Sequence, residues 1–583
     1  MSTRDAFKSQ SGKGLRAIPR NKEWLRAVPY ARMSSYNGRA MAERSTAVLA
    51  YEAFQQPPNA LFRDYLQGRE PALGFYGGGR WDLDAAAEAA TRTQTYPRSL
   101  DELAEAVVAQ QRARGASGAA DLAAALRDPA ASVVVTGQQA GLFGGPLFVL
   151  YKALAARKVA AALQQSRRAP VVPIFWVASD DHDFAEVRTC TVLDDAGRLR
   201  TLRYEPRREP AAQPAAKIVL DETVSELVAE LRRYLPESPH RDAGVDLVAR
   251  CYAPGATLAG AFAQLISELF PDLVVLDPSD PRIKALVAPV LVREIHEESP
   301  TSRLAQSVGP KLLAAGYHQQ VPVRPGFLNL FVVMDGERRA LGLQNGDVEV
   351  RGLGRRIPRA EAERLLAQDP TPWSPGALLR PLAQDHLLPT AAYVGGPAEI
   401  AYHAQIGPSY EHFQIPRPVL VPRPGVTLVE PAQARVLESE GLSLTDMQAD
   451  PEAIVRRWAH EAYPDVEDAF TRVRASLERD MKDVEERLGA LDPTLRAAAD
   501  AARGRALHQI ESFHEKSTRA LKKRDQARAD RLRRTRDALF PGGSFQERGL
   551  STIGVFCRHG RAVVEAIAEK IDPWAKGHQV IPV

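Results

Sequence analysis

The sequence predicts an α/β protein: a doubly wound parallel core carrying two insertions, followed by an antiparallel helical hairpin of coiled-coil type. Three observations carry this. Apolar and β-branched runs at Val133–Val135, Val171–Ala178, Leu273–Leu276 and Thr390–Val394 alternate with helical stretches. Three of those runs end in glycine-rich or acidic loops, at 136–146, 179–183 and 395–397. From Pro451 to Leu539 the chain becomes long, charged and helical in propensity.

The elements follow in order. Residues 1–44 carry ten Lys/Arg against three Asp/Glu with no sustained apolar periodicity, and read as a disordered basic extension. Met33 and Met41 are candidate later starts. Residues 45–187 are the first half of the core. Alanine-rich stretches from about Ala47 to Arg127 read as helices, parted by turns at Pro57-Pro58 and Gly77–Gly79. The Val133–Val135 strand, a glycine loop, a helix from Leu147 to about Leu163 and the Val171–Ala178 strand then form a βαβ unit. Residues 188–255 mix strand-like and helical segments and read as an insertion. The core continues over 256–324, with a strand at Leu273–Asp277 and a helix from about Pro281 to Glu298.

A β-rich insertion occupies 325–372. Its runs at Phe327–Met334, Arg339–Gly342 and Val348–Val350 are parted by the turn pairs Asp335-Gly336 and Asn345-Gly346. The second half of the core, 373–450, holds the Thr390–Val394 strand. In the hairpin, 451–539, Val466, Phe470, Val473, Leu477, Met481, Val484 and Leu488 keep 4-3-4-4-3-4 spacing, a heptad seam with one stutter. Leu491-Asp492-Pro493 reverses the chain, and the second arm offers Leu507, Ile510, His514, Ser517 and Leu521. Residues 540–583 read as a helical segment, with one amphipathic helix near Val555–Ile571.

Composition narrows the function. The 583 residues are 45% hydrophobic and 25% charged, which excludes wholesale disorder and gives a collagen-like repeat no support. No apolar run approaches the roughly 18–20 residues of a membrane span. The three cysteines, Cys190, Cys251 and Cys557, form no CxxC pair. A reducing cytoplasm is therefore expected, and zinc is not. The net charge of +4 is an average over unlike parts. Residues 503–536 hold twelve Lys/Arg against four Asp/Glu. With the basic extension set aside as well, the remaining body is acidic, which argues against nucleic acid as its partner. The basic arm is expected to face the acids of the first arm, such as Glu467, Glu478 and Glu485.

Four stretches can carry chemistry. In Thr136–Pro146, glycines let backbone N–H groups approach a ligand at the start of a helix, a setting for an anion. The text matches neither GxGxxG nor the P-loop, and a tight strand-to-helix turn explains it equally well. Asp180-Asp181-His182-Asp183, with Glu186, leaves a strand at the edge where open α/β sheets bind ligands. Its carboxylates need a cation (Mg2+, an ammonium or an Arg), and His182 suits acid–base work or substrate orientation. A helix cap is the plain alternative. Arg380 suits a carboxylate, a phosphate or a structural ion pair. Glu399, Tyr402 and His403 share one helix face after Gly395-Gly396, for recognition or for capping and packing. The Asp181-x-Asp183 pair also admits a metal-dependent nucleotide-sugar glycosyltransferase, and the hairpin a non-enzymatic assembly protein.

Four segments together are more specific: VVVTGQQAGLFGGPLFVLYKA (133–153), PVVPIFWVASDDHDFAEV (170–187), LLRPLAQDHLLPTAAYVGGPAEIAYHAQI (378–406) and PGGSFQER (541–548). In order and spacing they resemble the BshC family, the cysteine-adding ligases of bacillithiol biosynthesis, from about Tyr51 to the C-terminus. Asp180 stands where that family often has Glu, and Gly376 where Asn often follows Ser-Pro.

The resemblance implies a Rossmann-like nucleotidyl-transferase core with connective insertions and a coiled coil that forms a homodimer. It implies amide formation between L-cysteine and glucosaminyl-malate. Making an amide in water requires an activated carboxylate, most simply through ATP, with Mg2+ admissible beside it. On this reading Asp181, His182, Asp183 and Arg380 are catalytic. Asp181 and Asp183 hold an ammonium or Mg2+, His182 assists transfer of the amine proton, and Arg380 clamps a carboxylate or phosphate. Thr136, Gly137, Gln138, Gln139, Gly141, Gly144 and Gly145 face an anionic group. Gln384, Gly395, Gly396, Glu399, Tyr402 and His403 complete the pocket.

Overall fold

The computed structural model describes residues 46–449, 452–453, 464–524 and 526–583. The expected basic extension, 1–44, lies outside the described residues, as does much of the predicted start of the hairpin.

Five parallel strands make the core sheet: β1 (Ser132–Gln138), β2 (Val171–Val177), β3 (Val274–Leu276), β4 (Thr390–Gly395) and β5 (Val419–Pro422). Their order is β3-β2-β1-β4-β5. Val133, Val134, Val135, Ile174 and Phe175 are all fully buried, as a parallel sheet covered on both faces requires. The order reverses direction between β1 and β4, and a doubly wound sheet opens a crevice at such a point, beyond the carboxyl ends of its strands. β5 is absent from the sequence reading. Its four residues lie among Pro416, Pro418, Pro422 and Pro424, which read as a loop.

Four helices position the crevice. α1 (Phe148–Arg167) follows β1 and packs on β1 and β2 through small and apolar residues such as Ala153, Ala156 and Val159. α2 (Pro281–His296) begins at Asp280, whose carboxylate caps Arg282 N, with Pro281 in the first turn. α3 (Arg380–Leu387) leads into β4, and α4 (Pro397–His403) leaves it.

The first insertion holds an antiparallel pair, Thr189–Leu193 with Leu199–Arg203, and helices Thr223–Tyr234 and Arg241–Cys251. The second is an antiparallel sheet in the order Arg355–Ile357, Asp347–Val350, Glu337–Gln344, Phe327–Met334, Trp373–Pro375. Its two tight turns have positive φ at Asp335-Gly336 and Asn345-Gly346, as their sequences predict. The single C-terminal helix expected near Val555–Ile571 is instead two, Thr552–His559 and Arg561–Lys570, broken at Gly560 (φ 73°). There a Cβ would lie 2.7 Å from His240. A strand at His578–Pro582 then enters a second small sheet between Ala47–Leu49 and Gly425–Val429.

The hairpin forms as its heptads predict, from Pro464–Leu491 and Thr494–Arg524, continued by Gln526–Leu539. Asp492 caps the turn, accepting from Thr494 N at 2.9 Å. Phe470 stacks on His514, which also pairs with Glu467 at 2.7 Å. The charge of the basic arm is shared. Arg503 meets Glu485 of the first arm, whereas Arg528 and Arg533 pair with Glu440 and Glu452 of the preceding segment. Val466, Val473 and Val484 of the seam stay more than a third exposed, so the hairpin keeps an uncovered apolar edge.

Candidate active site

The crevice between β1 and β4 opens into a cavity of about 530 Å3. Residues from every part of the core reach it, and so do the β-rich insertion and the C-terminal segment.

A buried lysine joins its two sides. Lys152 of α1 donates to Gly137 O (2.6 Å) and Gln138 Oε1 (2.9 Å) on the β1 side, and pairs with Glu399 Oε2 (2.5 Å) on the β4 side. Glu399 also accepts from Tyr393 OH (2.5 Å) and from Gly396 N (2.8 Å). Burial, the largest influence, lowers the Lys152 pKa. Burial also opposes the charge on Glu399, but Lys152 and the two donors hold its carboxyl below the usual range. Gly137 is required here, because a Cβ would stand 2.7 Å from Trp176 O on β2.

The β2 exit forms an acidic wall. Gln139 Nε2 bridges Asp181 Oδ2 (2.7 Å) and Glu186 Oε2 (3.0 Å). Burial raises the Glu186 pKa. His182 Nδ1 is 3.1 Å from Arg338 Nη1 of the insertion. Burial, and then the Arg338 charge, lowers the His182 pKa. Asp180 is held by Lys284 of α2 at 2.7 and 2.8 Å, and that ammonium also donates to Trp373 O.

Around β4 the lining carries cations. Arg380 Nη2 donates to Tyr402 OH at 2.5 Å. Burial opposes its charge, but Tyr402, Tyr393 and Glu399 raise its pKa overall. Arg548 also lines the cavity. Neither arginine forms an ion pair among the described residues, so two cations face the space without a carboxylate of their own.

The sequence-predicted residues divide accordingly. Gly137, Gln138, Gln139, Asp181, His182, Arg380, Gly396, Glu399 and Tyr402 line the cavity; the others do not. Thr136 Oγ1 donates to Val394 O (2.9 Å), joining β1 to β4. Gly141, Gly144 and Gly145 are a packed turn and not an anion cradle. Gly144 N bonds Gly141 O and Tyr252 OH, Gly145 N bonds Leu142 O, and a Cβ on Gly141 would stand 2.7 Å from Gly145 Cα. At the α1 start, Leu147 N bonds Leu550 O and Val149 N bonds Pro146 O. Gly395 gives its carbonyl to Arg423 N, the residue after β5.

His403 is buried between Tyr393 and Tyr402, and neither ring nitrogen has a hydrogen-bond partner among the described residues. Burial lowers its pKa far below the ordinary value, so it packs behind Tyr402 as a neutral ring. Asp183 is an exposed helix cap, accepting from Glu186 N (3.2 Å), as the plain alternative had it. Among the described residues no three His, Cys, Asp or Glu side chains stand together to hold a metal ion.

Gln384 is also in the core, donating to Asp385 at 3.0 Å. Burial raises the Asp385 carboxyl to about 6. Its folded pKa lies above the unfolded value of 3.8, so its contribution favours the folded state at acid pH and is lost as pH rises through about 6. The shift is worth about 3 kcal/mol. Asp385→Asn is expected to flatten the fall in urea midpoint between about pH 4 and pH 6. An unchanged slope would contradict the assignment.

Lys152, Lys284, Arg338 and Arg548 are cavity residues that sequence reasoning did not single out. Lys152 had a signal, as a lone cation within the apolar text VLYKALAA. Arg338 had none, because only the fold of the insertion brings it to the β2 loop.

Residues 48–424 match the family described as Bacillithiol biosynthesis BshC, N-terminal Rossmann-like domain. Residues 426–583 match Bacillithiol biosynthesis BshC, C-terminal coiled-coil domain. BshC of Salinibacter ruber, named as a candidate cysteine ligase, is 32% identical over 543 residues, covering 91% of this chain and 98% of its own. The namesake from Solibacter usitatus is 34% identical over 528 residues, covering 90% and 97%. That from Koribacter versatilis is 31% identical over 530 residues, covering 87% and 94%.

Proposed function

Because this chain belongs to the BshC family of bacillithiol biosynthesis, we propose that it joins the carboxyl group of L-cysteine to the amine of glucosaminyl-malate as an amide, giving bacillithiol. The observation that carries the reading is the polarity of the cavity. Asp181 and Glu186 line it together with Arg380 and Arg548. Glucosaminyl-malate has matching ends, an amine and a dicarboxylate.

ATP, when bound, supplies the activation that turns the cysteine carboxylate into an acylating group. The two unpaired guanidiniums suit its phosphates as well as they suit malate. A protein cage for Mg2+ does not fit the described residues, and no step is routed through that ion. Asp181 and Glu186 attract the amine and orient it. Glu186, held beside Asp181 by Gln139 and with a carboxyl pKa that partial burial raises, accepts the amine proton. Arg380, fixed by Tyr402, holds the anionic end. Lys152 and Glu399 keep the two loops at a constant separation.

The test is reconstitution of the whole chain with glucosaminyl-malate, cysteine and ATP, followed by mass spectrometry. Bacillithiol with stoichiometric AMP or ADP is expected. No product at any substrate concentration would overturn the proposal.

The working unit is proposed to be a homodimer in the cytoplasm, with the apolar edge Val466, Val473 and Val484 covered by a second copy. Sedimentation of the full chain is expected to give a dimer, and Val473→Glu with Val484→Glu a monomer. A monomeric wild type would refute this. Among the described residues no helix is long and apolar enough to cross a membrane.

A further inference from the structure

The contact between Arg338 and His182 is chemically one-directional. Arg338 Nη1 stands 3.1 Å from His182 Nδ1. A guanidinium carries donors only, so Nδ1 must be the unprotonated, accepting nitrogen. The proton of the neutral imidazole then resides on Nε2. That nitrogen has no hydrogen-bond partner among the described residues, and the ring lines the cavity.

Arg338 is built to stay where it is. It is 8% exposed, its Nε donates to Ser374 Oγ (3.0 Å) and its Nη2 to Pro375 O (3.1 Å). Its guanidinium lies 3.7 Å over the Phe331 ring, against which His182 also packs. Asp181 stands beside the imidazole. It accepts the His182 backbone N–H at 2.8 Å, and at 3.8 Å it is too far from Nδ1 to take a proton there. Asp183, on the same loop, caps its own helix.

We propose that Arg338 is a positioning residue that fixes His182 as the Nε2–H tautomer, and that His182 acts toward the bound reactants as a hydrogen-bond donor and not as a base. The tautomer stands on geometry alone; the role toward reactants rests on the ligase reading. In that reaction the amine nitrogen donates its electron pair to the cysteine carbonyl carbon. The bond from that carbon to its activating group breaks with its pair, and the amine proton passes to Glu186. Negative charge grows on the carbonyl oxygen, where a fixed N–H donor is most effective.

Two readouts separate the parts. In the full chain labelled with 15N-histidine at pH 8, the signal lost in His182→Gln is His182. Its Nδ1 is expected at an acceptor-type shift and its Nε2 at a protonated-type shift. Arg338→Met is expected to average the two, Arg338→Lys to preserve them, and Ser374→Ala, which removes a tie of the arginine without touching the ring, to leave them unchanged. An Nδ1–H signal in the wild type overturns the proposal even if Arg338→Met does not fold. So does a Ser374→Ala spectrum that matches Arg338→Met.

The second readout is turnover. His182→Gln, which restores a donor near Nε2, is expected to stay within roughly tenfold of wild type, and His182→Ala to lose roughly 10²- to 10³-fold. Equal loss in both overturns the donor role. If the wild type itself makes no product, the ligase reading fails while the tautomer result still decides the positioning role.

Discussion

Arg380→Met is expected to lower kcat/KM for bacillithiol formation by about 10²- to 10³-fold, the usual cost of removing a charge-assisted contact from a water-poor site. The side chain is half-buried, its guanidinium is fixed by Tyr402, and it has no ion pair among the described residues. A structural ion pair, the plain alternative for this residue, would have placed a carboxylate against it. Methionine keeps the stem and its packing, so the loss reports the charge and the fork. Arg380→Lys keeps charge without the planar fork and should fall between the two. Initial rates with each substrate varied in turn provide the check. The substrate whose KM rises most is the one whose anionic group the arginine holds. Wild-type kcat/KM for Arg380→Met would remove this residue from the mechanism.

Lys152→Met is expected to destabilise the chain by about 3 kcal/mol, the lower end of what breaking a buried ion pair costs. Lys152 is 2% exposed, and its loss leaves Glu399 charged against β4 without its cation. The 19% of the Glu399 side chain still reachable from the cavity lets water offset part of the penalty. Glu399→Gln added to Lys152→Met should recover most of the stability, because a neutral pair can be buried cheaply. Urea midpoints of the three variants, with hydrogen exchange at the β1 and β4 loops, make the measurement. A double variant no better than the single one would show that the ammonium's bonds to Gly137 and Gln138, and not the ion pair, carry the effect.

The fold was legible where local chemistry decides it. The Val133–Val135 and Val171–Ala178 runs, the turn pairs of the insertion and the 466–488 heptads each report a structure their own residues prefer. The misses share another origin. β5 is masked by prolines, and His578–Pro582 is a strand only because two distant segments flank it. Within the site, residues on strand ends were found because loops there are polar for a reason. His403, Gln384 and the Gly141–Gly145 turn have the same residue types, but they face inward. A sequence does not distinguish a polar group aimed at a ligand from one packed behind it. Arg338 lies more than 150 residues from the histidine it orients, and no periodicity spans that distance.

The two family matches meet at residues 424 and 426, yet the polypeptide is stitched across that line. Gly425–Val429 finds its neighbour in His578–Pro582, which also carries Ala47–Leu49 on its other edge. Arg423 on one side is locked to Glu547 on the other at 2.5 Å, both within the interior. The boundary is thus one of ancestry and not of autonomy. Expressed apart, the halves would each present a naked strand edge and an orphaned charge, a recipe for precipitation. Mixed as they fold, they would be expected to dock and rebuild the cavity, so the junction is a place to split this protein for complementation rather than a place to cut it into modules.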